Sequence, residues 1–176
     1  LSKGITSLLP GEDRRAVVTE YSVLPYGAFR PGEVYQALVT NKARLVYEEI
    51  GDWFEGAAPI PGAVRNVPGL EEQLRLQLEA SGLLKKYRME QGALALDTLE
   101  PKVVVEDGRV CRLVAPRKNP AGHLIEDFMI AANGTMVARL EEAGIPMVQR
   151  VVRVPKHWDG IVETAALYHE RLPEEP

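Results

Sequence analysis

The sequence has very little cysteine and no long hydrophobic stretch. Its single cysteine, Cys111, cannot close a disulfide within the chain, and its place in the alternating segment 110–114 predicts a small buried side chain. No apolar run approaches the roughly 20 residues that cross a bilayer. The start of the chain, LSKGITSLLP, lacks the charged-then-apolar layout of a signal peptide. We therefore expect a soluble, cytoplasmic protein.

The chain also lacks the excess of positive charge that is typical of proteins coating nucleic acid. Its 21 Lys and Arg residues are outnumbered by 25 Asp and Glu residues, which gives a formal net charge of −4. A basic surplus favours non-specific binding because it releases counterions from phosphates. The composition disfavours such a coat protein but is compatible with a narrow internal RNA channel. The 176 residues are enough for one domain with a sizeable core.

Motifs of several common catalytic sites are absent. The chain has no G-x-x-x-x-G-K-[ST] phosphate loop, no G-x-S-x-G nucleophile elbow, no paired cysteines and no H-E-x-x-H zinc motif. Hydrolysis of phosphodiesters with Mg²⁺ requires several converging carboxylates. The nearest candidates are the adjacent pairs Glu12–Asp13 and Glu126–Asp127, whose side chains diverge in a helix or a strand. The residues alone predict no metal site in this chain.

Two strand pairs are predicted. Residues 16–23 and 33–40 are rich in Val, Thr and Tyr, and the Pro- and Gly-containing segment between them is too long for a tight hairpin. Residues 102–105 and 109–114 flank an Asp-Gly turn, which strongly indicates a hairpin between β-branched segments. Residues 147–154 are a further strand candidate.

The clearest predicted helix covers residues 120–143 and ends at Gly144. Steps of three and four residues predict that its apolar face is formed by Ile125, Phe128, Met129, Ala132, Met136 and Leu140. Other helices are expected between Lys42 and Gly56 (about three turns), from Leu70 to Leu84 with a break near Ser81 and Gly82, and over residues 161–168. The predicted fold class is α+β, with antiparallel strands packed against several helices, including this long amphipathic one.

Two positions allow both a structural and a functional interpretation. At about 100° per residue, His123, Glu126, Ile130 and Asn133 lie near one line of the long helix and Asp127 is rotated away from it, so Glu126 and Asn133 could face a cleft together. Ordinary solvated positions would show the same spacing. Tyr47, near the start of a helix, could be a core residue or a platform on which bases stack. Periodicity alone leaves both choices open.

Three segments of the chain resemble motifs of one enzyme family. LIEDFMIAAN, residues 124–133, is similar to the helix motif L-[IV]-E-[ED]-x-M-[IL]-x-A-N of the RNB catalytic domain of ribonuclease II and ribonuclease R. ARLVYEEIGDWFEG, residues 43–56, resembles the family's A-[RK]-L-x-Y-[ED]-x-V segment, and residues 1–16 resemble L-S-x-x-x-x-S-L-x-P-x-x-D-R-x-A. The motifs occur in the family's order. Residues 1–176 therefore look like one RNB domain that is incomplete at both ends.

The resemblance implies a processive 3′ to 5′ hydrolytic exoribonuclease that degrades single-stranded RNA to nucleoside 5′-monophosphates with two Mg²⁺ ions. Tyr47 matches the family tyrosine that packs against the terminal nucleotides, and Glu126 matches the glutamate that contacts a ribose and helps to select RNA over DNA. In the family, the metal-binding aspartates lie upstream of the segment that matches Leu1, and a phosphate-binding arginine lies downstream of the segment that matches Pro176; neither motif is present in this sequence. This chain is thus expected to hold RNA, to work with the remaining segments of the same enzyme, and to be inactive alone.

Three positions depart from the family pattern. Leu96 stands where some members carry a second aromatic, so the resemblance does not extend to a two-aromatic clamp on the bases. Gly122 replaces the usual His or Asn, and Asp127 replaces a common second Glu while keeping its charge. Two other hypotheses stay open: a catalytically inactive RNB-fold RNA-binding or scaffold protein, and an unrelated α+β domain engaged in protein contacts.

Overall fold

The computed structural model describes residues 4–94, 101–106, 108–114, 119–149, 151, 155–173 and 175. The chain divides into two compact units, Leu1–Gly144 and Ile145–Pro176. Across the described residues, the first unit contains four strands and four helices, and the second contains one helix. None of these helices is both long enough and apolar enough to cross a membrane. The predicted α+β class is confirmed, and a single domain over residues 1–176 stays a prediction.

The first strand pair is formed by β1 (Asp13–Val23) and β2 (Phe29–Thr40), which run antiparallel as predicted. Contrary to the prediction, Pro31 and Gly32 belong to β2 and not to the connection. The register shifts near Glu20, so that β2 has one residue more than β1 at this point. A bulge of this kind accommodates proline, which has no N–H group to donate to the ladder. The connection between the strands is therefore shorter than predicted.

The predicted hairpin is formed by β3 (Lys102–Glu106) and β4 (Arg109–Val114). Gly108 has a φ of 75°, the left-handed conformation that an Asp-Gly turn requires. The prediction that Cys111 is buried is wrong, because its side chain is exposed on β4. In the described part of the chain, β3 and β4 pair only with each other, and a two-stranded sheet alone covers little of its own surface.

Two of the predicted helices differ from the sequence analysis. Helix α1 (Tyr47–Phe54) is shorter than expected, because the backbone is still extended at Val46, with φ −110° and ψ 129°. After the short helix α2 (Gly62–Arg65), helix α3 (Leu70–Glu90) runs without the predicted break. Ser81 is buried in α3 because its hydroxyl contacts another helix, so the polar residue marks a packing contact and not an interruption.

Helix α4 (Pro120–Glu142) agrees with the predicted long helix, and Gly144 follows its end with a φ of 64°. Its most buried residues are Ala121, Leu124, Asp127, Ala131 and Thr135. Ile125 and Met129, which were predicted to lie on the apolar face, are 47% and 56% exposed. The prediction of the apolar face is therefore partly wrong, because the buried face combines Leu124 with small and polar side chains.

The core lies where α1, α2 and α3 meet the beginning of α4. Its buried members are Ile50, Trp53, Val64, Leu74 and Ala121. The guanidinium of Arg75 lies 4.9 Å from the centre of the Trp53 ring, a cation–π contact that covers the core. Farther along α4, Tyr21 of β1 packs edge-on against Phe128, with 6.3 Å between ring centres. Helix α4 is thus held by helices and by the strand pair.

The second unit contains helix α5 (Trp158–Leu167), which begins slightly before the helix predicted over residues 161–168. The Trp158 indole Nε1 donates a hydrogen bond of 3.1 Å to the carbonyl oxygen of Pro173. The strand candidate 147–154 is wrong for residues 147–149 and 151, which belong to no strand. Residues 150 and 152–154 lie outside the described residues.

Candidate functional site

Tyr47 is the first residue of α1, and it lies beside an open groove of about 210 Å³. Ile50, Leu74 and Leu124 are buried residues of the groove wall, whereas Ile125 is half exposed. The Tyr47 residue itself is 52% exposed and is not part of the buried core. An exposed aromatic ring beside an apolar groove offers a flat face to a ligand, as a stacking platform requires.

Glu126 lies in the second turn of α4, next to Ile125 of the same groove. Its side chain is 53% exposed, and its Oε2 lies 3.4 Å from Nδ1 of His123, one turn earlier. Asn133 is also exposed, which agrees with the predicted polar line along this helix. The carboxylate is thus open to solvent, with His123 as its neighbour among the described residues. It is accessible to a hydroxyl donor on a ligand.

Asn119 connects the helices that carry these two residues. Its Nδ2 donates a hydrogen bond of 2.8 Å to the carbonyl oxygen of Tyr47. Its Oδ1 accepts hydrogen bonds from the backbone N–H groups of Ala121 and Gly122, at 2.9 and 3.3 Å, and so caps α4. Tyr47 and Glu126 therefore lie near the N-termini of two helices that one side chain joins.

Asp127, beside Glu126, faces the interior of the protein. Its residue is 4% exposed, and its carboxylate accepts hydrogen bonds of 2.8 Å from Ser81 Oγ and from Arg88 Nη2. This network was not predicted from the sequence. The available signal is spacing: Asp127 follows Leu124 by three residues and precedes Ala131 by four, which places it on their buried face.

No metal site is present among the described residues, where no three His, Cys, Asp or Glu side chains lie close enough to bind an ion together. The carboxylates of this part of the chain therefore do not fit a two-Mg²⁺ centre, which needs several converging oxygen ligands. Leu96, the position of the missing second aromatic, lies outside the described residues. The site consists of an aromatic face, a solvent-accessible carboxylate and an apolar groove.

Comparison with known proteins identifies relatives over nearly the whole chain. Residues 1–171 match the family model described as RNB domain. Ribonuclease R of Thermotoga maritima is 31% identical over 157 residues, which cover 88% of this chain and 22% of that protein. Ribonuclease R of Aquifex aeolicus is 32% identical over 161 residues, again with 88% and 22% covered. The chain thus spans about a fifth of the length of these curated relatives.

A solved structure has the same fold. It is that of Mycoplasma genitalium RNase R in complex with ribose methylated single-stranded RNA, and it superposes with a TM-score of 0.83. The alignment covers 98% of this chain and 27% of the other, at 23% sequence identity. At this identity the likeness concerns the fold of the matched segment.

Proposed function

Because this chain belongs to the RNB domain family, we propose that the protein containing it is a processive 3′ to 5′ hydrolytic exoribonuclease of the cytoplasm. Its substrate is single-stranded RNA and its products are nucleoside 5′-monophosphates. This chain supplies contacts to the RNA channel and to the terminal nucleotides. Its partners are the remaining N- and C-terminal segments of the same enzyme. This part of the proposal is supported by the length of the relatives, of which the chain spans about a fifth.

The observation that carries this proposal is the joint position of Tyr47 and Glu126. They lie on separate helices whose N-termini are tied by Asn119, and both are exposed: Tyr47 lines the groove, and Glu126 follows Ile125, which also lines it. A core tyrosine and a carboxylate engaged in a buried ion pair would not support an RNA contact. The neighbouring Asp127, buried between two helices, shows what the structural alternative looks like in this protein.

Tyr47 is proposed to pack against the bases at the 3′ end of the RNA. Stacking of a base on an aromatic ring contributes about 1 to 3 kcal/mol and tolerates any base, because every base has a π face. A degradative enzyme needs such tolerance, since it must bind each new terminal nucleotide after the previous one has left.

Glu126 is proposed to contact a ribose and to select RNA over DNA. Its carboxylate accepts a hydrogen bond from the 2′-hydroxyl of RNA, the group that distinguishes the two nucleic acids. Bound DNA has no such donor, so the carboxylate would lose water without gaining a partner. An unmade hydrogen bond of this kind costs about 1 to 3 kcal/mol, or more for a charged group.

The hydrolytic step itself is assigned to residues outside this chain. The described residues do not fit a two-metal centre, so we propose that Mg²⁺ is bound by aspartates in a segment upstream of Leu1. Bound there, the ions would activate water and stabilise the charge that develops on the phosphate. On this proposal the 176-residue chain alone does not hydrolyse RNA.

The proposal is tested in the full-length enzyme with the substitution Glu126→Ala. The rates of degradation are compared for RNA and DNA oligonucleotides of the same sequence, with Mg²⁺ present. The RNA-to-DNA rate ratio should fall by about 5-fold to 100-fold, which corresponds to the cost of the unmade hydrogen bond. Glu141→Ala, an exposed glutamate at the other end of the same helix, is the matched control and should leave the ratio unchanged.

Two outcomes would contradict the proposal. If Glu126→Ala left the RNA-to-DNA rate ratio unchanged, Glu126 would not make the proposed ribose contact. Absence of Mg²⁺-dependent degradation by the full-length protein, with RNA binding retained, would instead support the catalytically inactive RNA-binding or scaffold alternative.

A further inference from the structure

Asn119 is the only standard side chain of its size that can make both of its observed contacts. The backbone N–H groups of Ala121 and Gly122 are donors, so they require an acceptor, and the carbonyl of Tyr47 requires a donor. A primary amide presents one of each. Aspartate offers two acceptors, and serine is too short to bond with α4 and Tyr47 at once. The chemistry of this position therefore exceeds what a helix cap needs.

Gly51 of α1 provides a second, independent observation. A Cβ atom at Gly51 would lie 2.6 Å from Oδ1 of Asn119 and 2.8 Å from its Cγ and Nδ2. These separations are shorter than any van der Waals contact, so a larger residue would displace the amide. The absence of a side chain at Gly51 leaves the space that the Asn119 amide occupies.

Helix α1 is packed through Ile50 but has no side-chain cap at its start. It has only eight residues, and its N-cap residue, Val46, makes no side-chain capping hydrogen bond. Isolated helices of this length are unstable in water, so contacts with other elements determine where they lie. The hydrogen bond from Asn119 reaches the first residue of this helix, which is Tyr47.

We propose that Asn119 is a positioning residue that fixes the Tyr47 end of α1 against the first turns of α4, and so sets the spacing between the Tyr47 ring and the Glu126 carboxylate. This inference rests on the proposed RNA contacts of those two residues. On this proposal, the grip on the terminal nucleotide depends on a third residue, which acts through the backbone of Tyr47. The cap on α4 and the hydrogen bond to Tyr47 then serve one positioning role, because the same side chain makes both.

The test uses the full-length protein with Asn119→Asp and Asn119→Ser. Aspartate keeps the capping acceptor and also suits the positive end of the helix dipole, but it lacks the donor for Tyr47. Serine keeps a cap without a change of charge. Asn66→Asp, at an exposed residue that ends α2, makes the same chemical change away from both helices and serves as the control. Circular dichroism verifies that each variant is folded.

Two measurements are made on each variant. Amide hydrogen exchange over residues 47–51 reports whether the first turn of α1 is held. Fluorescence anisotropy reports binding of a short oligoadenylate with a free 3′ end, in EDTA so that no metal-dependent cleavage competes. Asn119→Asp and Asn119→Ser should both speed exchange and weaken binding by about 3-fold to 10-fold, and Asn66→Asp should do neither. Once Tyr47→Ala is present, the Asn119 substitutions should weaken binding no further.

The outcomes separate this inference from the proposed function. If Asn119→Asp kept the exchange rate and the binding of the wild type, the inference would be overturned, because capping of α4 alone would then account for the role of Asn119. Additive losses from Asn119→Ser and Tyr47→Ala would also overturn it while leaving the RNA contact of Tyr47 intact. If Tyr47→Ala leaves binding unchanged, the proposed function of Tyr47 fails. Exchange then decides the inference: faster exchange in both Asn119 variants upholds the link between the helices, and unchanged exchange refutes it.

Discussion

Replacing Asp127 with alanine should destabilise the contact between α3 and α4. The carboxylate accepts hydrogen bonds of 2.8 Å from Ser81 Oγ and from Arg88 Nη2, and its side chain is 3% exposed. Removing one partner of a buried ion pair costs about 3 to 5 kcal/mol, because the other charge is left without compensation. The Arg88 side chain is 28% exposed and can regain water. We therefore expect the lower end, a loss of about 3 kcal/mol in the free energy of unfolding.

The complementary substitution, Arg88→Met, should cost at least as much. It leaves the carboxylate of Asp127 without a cation at a position that water barely reaches. The combination of Asp127→Leu with Arg88→Met removes both charges and fills the space with apolar groups. It should recover most of the loss, because such replacements of buried pairs are often neutral or stabilising.

Urea unfolding followed by circular dichroism measures each free energy. The control is Glu71→Ala, which removes an exposed pair with Arg75 on the same helix α3 and should cost only about 0.5 kcal/mol. A loss for Asp127→Ala no larger than that of the control would refute the importance of the buried pair. If the combined variant were no more stable than either single variant, the unpaired charge would not be the cause of the loss.

Two further predictions concern the packing of the strand pair. Gly27→Ala should lower the free energy of unfolding by about 1 to 3 kcal/mol more than Gly11→Ala, as measured by urea unfolding. Both glycines have positive φ, but of the two only Gly27 would place a Cβ against another residue, 2.8 Å from Tyr87 Cβ. Equal losses of stability in the two variants would contradict this prediction. Burial raises the pKa of Tyr21, so above about pH 10 the unfolded chain releases this proton more readily, and stability falls as pH rises. Tyr21→Phe should flatten this fall in urea unfolding between about pH 8 and 11, and an unchanged slope would refute the assignment.

The parts of the fold that the sequence predicts are those determined by neighbouring residues. The Asp-Gly turn specifies the β3–β4 hairpin through the backbone conformation of Gly108. The limits of α4 follow from its proline-containing first turn and from Gly144, whose φ is 64°. In each case the physical cause lies within a few residues of its effect, so a pattern of letters is sufficient evidence.

The incorrect predictions arise where a residue serves a distant contact. Ser81 looks like a helix breaker, yet its hydroxyl binds Asp127, 46 residues away in sequence. Local periodicity also placed Ile125 on the apolar face of α4, whereas the buried face carries small and polar side chains such as Ala131 and Asp127 beside Leu124. Hydrophobicity alone cannot predict which side of a helix is buried when polar side chains make contacts there.

The candidate site likewise combines features set by neighbouring residues with contacts between residues distant in sequence. The carbonyl of Tyr47 accepts a hydrogen bond from Asn119, 72 residues later, and no spacing rule connects them. Glu126 and Asp127 are adjacent, and at about 100° per residue a helix must send such side chains in different directions. Here one carboxylate is buried against Arg88 and Ser81, and the other meets solvent. The rotation of α4 that buries Asp127 is therefore also the one that leaves Glu126 exposed, because adjacent side chains of a helix point in different directions.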